Sequence, residues 1–275
     1  MTEDLLAALR GRIAREERLI VAYSGGVDSA LLAAVASDVL GPAALSVTAV
    51  SPSLPDSERR KAKQFAADHG IAHVEVCTDE AERPEYVANG SDRCFHCKSA
   101  LFDAIGPLAG ALGARIALGT NKDDLGDHRP GLRAAAERGT VAPLVDAGFG
   151  KKEVRDASRA LGLRTADKPA AACLASRVAY GDQVTPELLA RIEAAEEAVR
   201  ALGFTRFRVR AHADGTVARI EVPDGEIQQA AGVRADLDRA VREAGFEFCA
   251  LDLAGFSSGR MNALLPLTVV HGGAA

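Results

Sequence analysis

Leu19-Ile20-Val21-Ala22-Tyr23-Ser24-Gly25-Gly26-Val27-Asp28-Ser29 decides the fold. The run Leu19 to Tyr23 reads as a buried strand, because it is apolar and short. A turn with two adjacent glycines follows at once. From Asp28 to Leu40 the chain reads as a helix with small residues facing a sheet. Strand, glycine turn and helix in this order make the first βα unit of a parallel sheet. Ligands of such sheets lie at the carboxyl ends of the strands, where this turn falls by construction.

The alternation continues outward from this unit. A helix over Leu5 to Glu17 precedes it. Downstream come a strand at Ala44 to Val50 and a helix at Ser53 to Asp68, with Ser53 and Asp56 as capping candidates and Gly70 as its stop. A strand at His73 to Val76, a helix at Lys98 to Leu112 and a strand at Arg115 to Gly119 follow. A helix at Lys151 to Leu161, closed by Gly162, completes the series. The fold class is therefore α/β, a parallel sheet covered by helices on both faces. After Tyr180 the pattern changes. A helix at Pro186 to Leu202 leads to Arg206 to His212 and Val217 to Val222, which alternate like antiparallel strands around Ala213-Asp214-Gly215. Another helix and a strand at Phe246 to Leu251 follow. A boundary near Ala179 to Val184 divides the chain into a domain of residues 1–179 and a smaller α+β domain of residues 180–275. The tail, Gly272 to Ala275, is expected to be disordered.

Composition excludes several classes. With 48 % hydrophobic residues, 275 residues can bury one large core or two modest ones. No apolar run approaches the roughly 20 residues that span a bilayer, so no membrane association is expected. Glu3 and Asp4 stand where a signal peptide carries positive charge, so a cytoplasmic protein is expected. The net charge of −5 lacks the basic surplus of a nucleic-acid binder, and the absence of Trp leaves little for base stacking. Five cysteines in such a chain do not make a disulfide framework.

The glycine turn has the chemistry of a phosphate loop. Ser24-Gly25-Gly26-Val27-Asp28-Ser29 can turn tightly and face its N–H groups to an anion, beside a helix N-terminus. Ser24 and Ser29 add hydroxyl donors. Asp28 would repel a phosphate unless a cation lies between them, so it implies magnesium. The loop lacks the lysine of the GxxxxGK[ST] pattern. The hexapeptide resembles the SGGxDS signature of the PP-loop ATP pyrophosphatases. That resemblance covers most of Leu19 to Gly162 and implies cleavage of ATP between its α and β phosphates, with adenylation of a carbonyl or carboxyl oxygen. It also implies adenine near Val50 and Ser51. The loop Gly119-Thr120-Asn121-Lys122-Asp123-Asp124 lies at the same sheet edge. Taken alone its Asp and Asn read as a helix cap, but beside SGGVDS a metal role for Asp124 is favoured.

Three cysteines remain. Cys94 and Cys97 form CxxC in Arg93-Cys94-Phe95-His96-Cys97-Lys98, just before a helix, and could hold a metal centre or form a redox pair. Cys173 lies in Asp167-Lys168-Pro169-Ala170-Ala171-Ala172-Cys173-Leu174-Ala175-Ser176-Arg177, whose charged flanks set it apart from a buried small hydrophobe. Three thiolates are one short of a tetrahedral zinc site, and His96 is awkwardly placed to be the fourth ligand. They can hold a 4Fe-4S cluster with one iron open. Cys77 and Cys249 lie in apolar strand patterns and are assigned to the core. In the second domain, Arg206, Arg208 and Arg210 alternate on one strand, so all three share a face that could bind phosphate or simply meet solvent. Glu221 on the next strand could pair with one of them.

SGGVDS, GTNKDD, DKPAAACLASR and RVR together resemble the LarE-type ATP-dependent sulfur transferases over nearly the whole chain. In that family the cysteine matching Cys173 either is sacrificed as sulfur donor or joins a CxxC pair in holding a 4Fe-4S cluster. With Cys94 and Cys97 present, this sequence is similar to the cluster branch. The resemblance implies a pyridinium-3,5-biscarboxylic acid mononucleotide substrate, whose thiocarboxylate product is the precursor of the nickel-pincer nucleotide of lactate racemase. It further implies that Ser176 and Arg177 lie near the reacting carboxylate, that Arg208, Arg210 and Glu221 serve the substrate, and that the protein is a homo-oligomer. The nearest rival is a 4Fe-4S tRNA thiolase with a PP-loop, which the acidic composition disfavours. An ammonia-using synthetase would leave the cysteines without a role. A non-catalytic carrier would not need the intact loop with its Asp28.

Overall fold

The computed structural model describes residues 2–126, 130–169 and 172–257. The tail from Gly272 therefore lies outside the described residues, as do Ala170 and Ala171 of the Cys173 loop. The chain forms two compact units, one of residues 1–86 and 92–172, the other of residues 87–91 and 173–275. The division falls a few residues before the boundary expected from sequence, and it assigns a short early segment to the second unit.

In the first unit, α1 (Thr2–Ile13), β1 (Leu19–Ala22), α2 (Val27–Leu40), β2 (Ala44–Val50), α3 (Asp56–Asp68) and β3 (His73–Cys77) follow one another. Then come α4 (Pro84–Val87), which runs to the edge of the unit, α5 (Arg93–Leu112), β4 (Arg115–Leu118), α6 (Pro130–Glu137), α7 (Pro143–Asp146) and α8 (Lys151–Ala160). The strands form a parallel sheet in the order β3-β2-β1-β4. β1 is buried on both faces, as its unbroken apolar run demands. Leu19 and Val21 pack with Leu31 and Leu32 of α2 on one side. Ile20 packs with Leu101, Phe102 and Ile105 of α5 on the other. From β1 the chain steps outward to β2 and β3, then returns to β4 on the opposite flank of β1. The strand order thus reverses between β1 and β4, which opens a crevice at their carboxyl ends. The loops after β1 and β4 are SGGVDS and GTNKDD.

In the second unit, α9 (Pro186–Ala201) precedes β5 (Arg208–His212), β6 (Val217–Glu221), α10 (Ile227–Gly232), α11 (Arg234–Glu243) and β7 (Phe248–Leu251). Thr185 caps α9 by accepting the Leu188 N–H at 3.2 Å, and Pro186 stands at its first position. β5 and β6 pair antiparallel and β7 joins β6 in parallel, the α+β arrangement expected.

Four local expectations are corrected. α5 begins at Arg93, so CxxC lies in its first turn rather than before it. α3 begins at Asp56 after Pro55, with no side-chain cap, and Ser53 instead lies buried outside it. β5 begins at Arg208, which leaves Arg206 off the strand. Cys77 ends β3 exposed, and Cys249 is only half-buried, so neither is a core residue. Burial, reinforced by Asp238, still pushes the Cys249 thiol up to about 11. Among the described residues, no helix is long and apolar enough to cross a membrane.

Candidate functional site

The loop after β1 is braced by its own hydroxyls. Ser29 Oγ donates to the Gly26 carbonyl at 3.2 Å and accepts the Ser24 N–H at 3.2 Å. Ser24 Oγ therefore donates to Ser29 Oγ, 3.1 Å away. Gly25 sits at φ +71°, and a Cβ there would stand 2.9 Å from Cβ of Ala62 on α3. Only glycine tolerates both demands. Gly119, at the end of β4, is required for a different reason. Its Cβ would stand 2.8 Å from Ser29 N, so β4 and the start of α2 are in backbone contact there. Beneath the loop, Thr48 Oγ1 donates to the Tyr23 carbonyl at 2.8 Å, so His73, 2.8 Å from the same oxygen, donates through Nε2–H. Burial lowers the proton affinity of His73, in keeping with this neutral form.

Asn121 joins the two carboxylates assigned to magnesium. Its Nδ2 donates to Asp28 Oδ1 at 3.0 Å, and its backbone N–H donates to Asp124 Oδ2 at 3.0 Å. Asn121 itself is wholly buried. The other oxygen of Asp28 takes Lys151 Nζ at 2.5 Å. Among the described residues, no three His, Cys, Asp or Glu side chains converge as a metal cage. Magnesium needs no such cage, because phosphate oxygens and water fill most of its shell beside one or two carboxylates. Asp28 and Asp124 fit that use. Val50 and Ser51 close β2 at the same sheet edge, and Ser51 Oγ lies 2.9 Å from Ser53 Oγ.

Cys94 and Cys97 are one helical turn apart in α5, a spacing that puts both on one face. His96 Nε2 lies 3.2 Å from Asp92. Cys94 follows the passage of the chain out of residues 87–91 by two residues, and Cys173 is the first residue after its return. All five cysteines are free thiols.

In the second unit, Cys173 opens a short polar network. Its carbonyl accepts Ser176 Oγ at 2.7 Å and Arg177 Nη1 at 3.0 Å. Arg177 also forks onto Glu196 of α9, at 2.9 and 3.1 Å. Arg210 donates to the Ser176 carbonyl at 3.0 Å and to Glu221 through two nitrogens at 3.1 and 2.9 Å. Glu221 is fully buried and also pairs with Arg219 at 2.9 Å. Arg219 reaches Asp252 as well. Arg208 stacks over Phe256, its guanidinium carbon 5.2 Å from the ring centroid. Burial, with Arg177 and Arg210 nearby, lowers its proton affinity. An arginine in that position still carries its charge.

Cys173, Ser176, Arg177, Arg210 and Glu221 are thus linked, whereas Arg206 and Arg208 both lie over the Phe256 ring. Sequence reasoning did not single out Asn121, Lys151 or Glu196. Glu196 had a legible signal, because it shares a helix face with the buried Ile192 and Val199, and a charge on an apolar stripe needs a partner. Lys151 and Asn121 had none, since their partner Asp28 lies 123 and 93 residues away.

Comparison with known proteins bears on this geometry. Residues 1–89 match the asparagine synthase family model, which belongs to the PP-loop superfamily. An uncharacterised protein of Synechocystis sp. is 46 % identical over 96 % of this chain and 99 % of its own length. The pyridinium-3,5-bisthiocarboxylic acid mononucleotide synthase of Lactiplantibacillus plantarum is 36 % identical over 94 % of this chain and 92 % of its own. An uncharacterised protein of Methanocaldococcus jannaschii is 26 % identical over 89 % of this chain and 92 % of its own. A parallel sheet with a glycine phosphate loop at its switch point, together with a likeness to the synthase along nearly the whole chain, makes this an ATP-using protein of the LarE-type family within the PP-loop superfamily.

Proposed function

We propose that the protein is an ATP-dependent sulfur transferase that converts the carboxylates of pyridinium-3,5-biscarboxylic acid mononucleotide to thiocarboxylates, in the synthesis of the nickel-pincer nucleotide. The observation that carries this reading is the end-to-end likeness to the Lactiplantibacillus plantarum synthase. The SGGVDS loop holds the phosphates of ATP, with Asp28 and Asp124 as carboxylates for magnesium. A substrate carboxylate attacks the α phosphorus, and pyrophosphate leaves. The acyl adenylate is then open to a sulfur nucleophile, which forms the carbon–sulfur bond as AMP departs. Two rounds give the dithio product. Cys94, Cys97 and Cys173 are the residues that would hold a 4Fe-4S cluster, which would supply sulfide as the nucleophile.

The arginine network supports a place for the substrate. Arg177 and Arg210 are held in fixed forks by Glu196 and Glu221. Arg208 stacks on an aromatic ring, a setting suited to a phosphate group. Ser176 lies beside the Cys173 carbonyl. The protein acts in the cytoplasm as a homo-oligomer on a small molecule and not on nucleic acid.

The test is anaerobic purification followed by iron and sulfide analysis, a visible spectrum, and pyrophosphate release with ATP and the mononucleotide. Cys94→Ala, Cys97→Ala and Cys173→Ala should each lose the iron and the sulfur transfer while still binding ATP. A single turnover with loss of one sulfur from Cys173, and with Cys94 and Cys97 dispensable, would replace the cluster by a sacrificial cysteine.

A further inference from the structure

The signature loop contains no lysine, yet two reach it from far along the chain, Lys151 at Asp28 and Lys168 at Gly25. Lys168 Nζ donates to the Gly25 carbonyl at 2.8 Å and lies 2.6 Å from Glu58 Oε2 on α3. The side chain is only 16 % exposed, so these contacts are largely shielded from water. Its stem is fixed in turn. Arg155 of α8 donates to the carbonyls of Ala166 at 2.6 Å and of Lys168 itself at 3.0 Å. Burial pushes the Glu58 carboxyl up, and Lys168 and Lys61 more than offset it, so Glu58 stays ionised below its usual range. The lysine is thus held at its head by Glu58 and at its backbone by Arg155.

The peptide between Gly25 and Gly26 is planar and trans, so its C=O and N–H point in opposite directions. With the carbonyl fastened to Lys168, the Gly26 N–H faces the inner side of the loop, where Ser24 Oγ lies 3.5 Å away. Between two glycines this is the peptide most easily turned over. Turned over, it would aim a carbonyl oxygen at the phosphates instead of a donor.

We propose that Lys168 is a positioning residue of the nucleotide site. Paired with Glu58, it fixes the Gly25–Gly26 peptide with its N–H toward the phosphates and does not touch them itself. The lysine of a GxxxxGK[ST] loop acts by charge on the phosphate. Here a lysine acts through the orientation of one peptide. The proposal rests on the reading that SGGVDS binds the phosphates of ATP.

The experiment is calorimetric titration of the intact protein with magnesium-ATP, magnesium-pyrophosphate and AMP, with thermal melting of each variant alongside. Lys168→Met should weaken ATP and pyrophosphate roughly ten- to hundredfold, the effect of losing a charge-assisted hydrogen bond. AMP, which lacks the β and γ phosphates, should keep its affinity. Lys168→Arg should recover most of the loss. Glu58→Gln decides the mechanism. If Lys168 acts through the peptide, loosening its partner weakens ATP as well. If Lys168 instead contacts the nucleotide directly, Glu58→Gln frees it and ATP binds as well or better, which would overturn the proposal. So would a Lys168→Met protein that binds ATP like the parent. A parent protein that binds neither ATP nor pyrophosphate would overturn the phosphate-loop reading and this one with it, whereas unchanged variants beside a binding parent would remove only the role of Lys168.

Discussion

Replacing Gly119 by alanine puts a methyl group where the fold has no room. Its Cβ would lie 2.8 Å from Ser29 N and 3.0 Å from both Asp28 C and Ser29 Cα. All three are backbone atoms at the start of α2, so no side-chain rotation relieves the contact. Non-bonded carbon contacts are comfortable at about 3.5–4.0 Å, so the end of β4 and the start of α2 must part by roughly 0.5–1 Å. Overpacking on this scale costs about 1–3 kcal/mol. Gly119 has no positive φ, so the loss comes from the contact and not from backbone strain. The displacement falls on the proposed nucleotide site. Ser29 closes the loop through Ser24, and Asp28 meets Asn121 only two residues beyond Gly119. ATP affinity should therefore fall by about tenfold for each ~1.4 kcal/mol that the loop loses in the bound state. Urea unfolding gives the stability change, and calorimetry with magnesium-ATP gives the affinity. A Gly119→Ala protein with unchanged midpoint and unchanged ATP affinity would refute the reasoning.

Asp28→Ala should abolish pyrophosphate release, because the carboxylate proposed to hold the metal is gone; normal release would remove Asp28 from the reaction. Glu221→Gln takes the charge from between Arg210 and Arg219, and breaking a buried pair in this way costs about 3–5 kcal/mol, towards the low end here because Arg219 keeps Asp252. Chemical denaturation followed in the second unit should show it, and a loss below about 1 kcal/mol would contradict the buried network. Burial lowers the proton affinity of both His73 and His212. The folded state then binds protons less readily than the unfolded chain. Stability from these groups is complete above about pH 6.5 and declines as pH falls below it. A urea midpoint that rises on acidification through that range would show the sign to be wrong.

What the sequence disclosed, it disclosed through local periodicity. The run from Leu19 to Tyr23 and the glycines after it fixed a strand, a turn and a parallel sheet, because a strand buried on both faces has few polar alternatives. The pairing of Glu221 with an arginine of β5 was also legible from alternation. Register places Arg208, not Arg210, opposite Glu221, so the observed fork from Arg210 runs diagonally across the pair. The start of α5 was missed, since Cys94, Phe95 and His96 are poor helix formers. Tertiary packing overrides them. Arg93 is buried, and Arg133 lies over the ring of Phe95 at 4.3 Å. Lys151 and Lys168 read only as charges on a helix and in a loop, because nothing in their neighbourhood records partners more than a hundred residues away.

The five residues Val87–Ser91 have a consequence for how the protein is made and how its gene can be rearranged. Asn89, wholly buried at φ +55°, donates its amide to the carbonyls of Ala179 at 2.7 Å and Asp182 at 2.9 Å. Val87 accepts the Val184 N–H at 2.9 Å. On the ribosome this segment emerges some ninety residues ahead of its partners. At about 5–20 residues per second it waits several seconds for them, and the first unit must tolerate the delay. A gene cut between Ala172 and Cys173 would separate the C-terminal unit from a piece of its own interior. A fragment starting at Cys173 would expose the carbonyls that Asn89 serves. Recombination that moved this unit onto another protein would therefore have to carry Val87–Ser91 along.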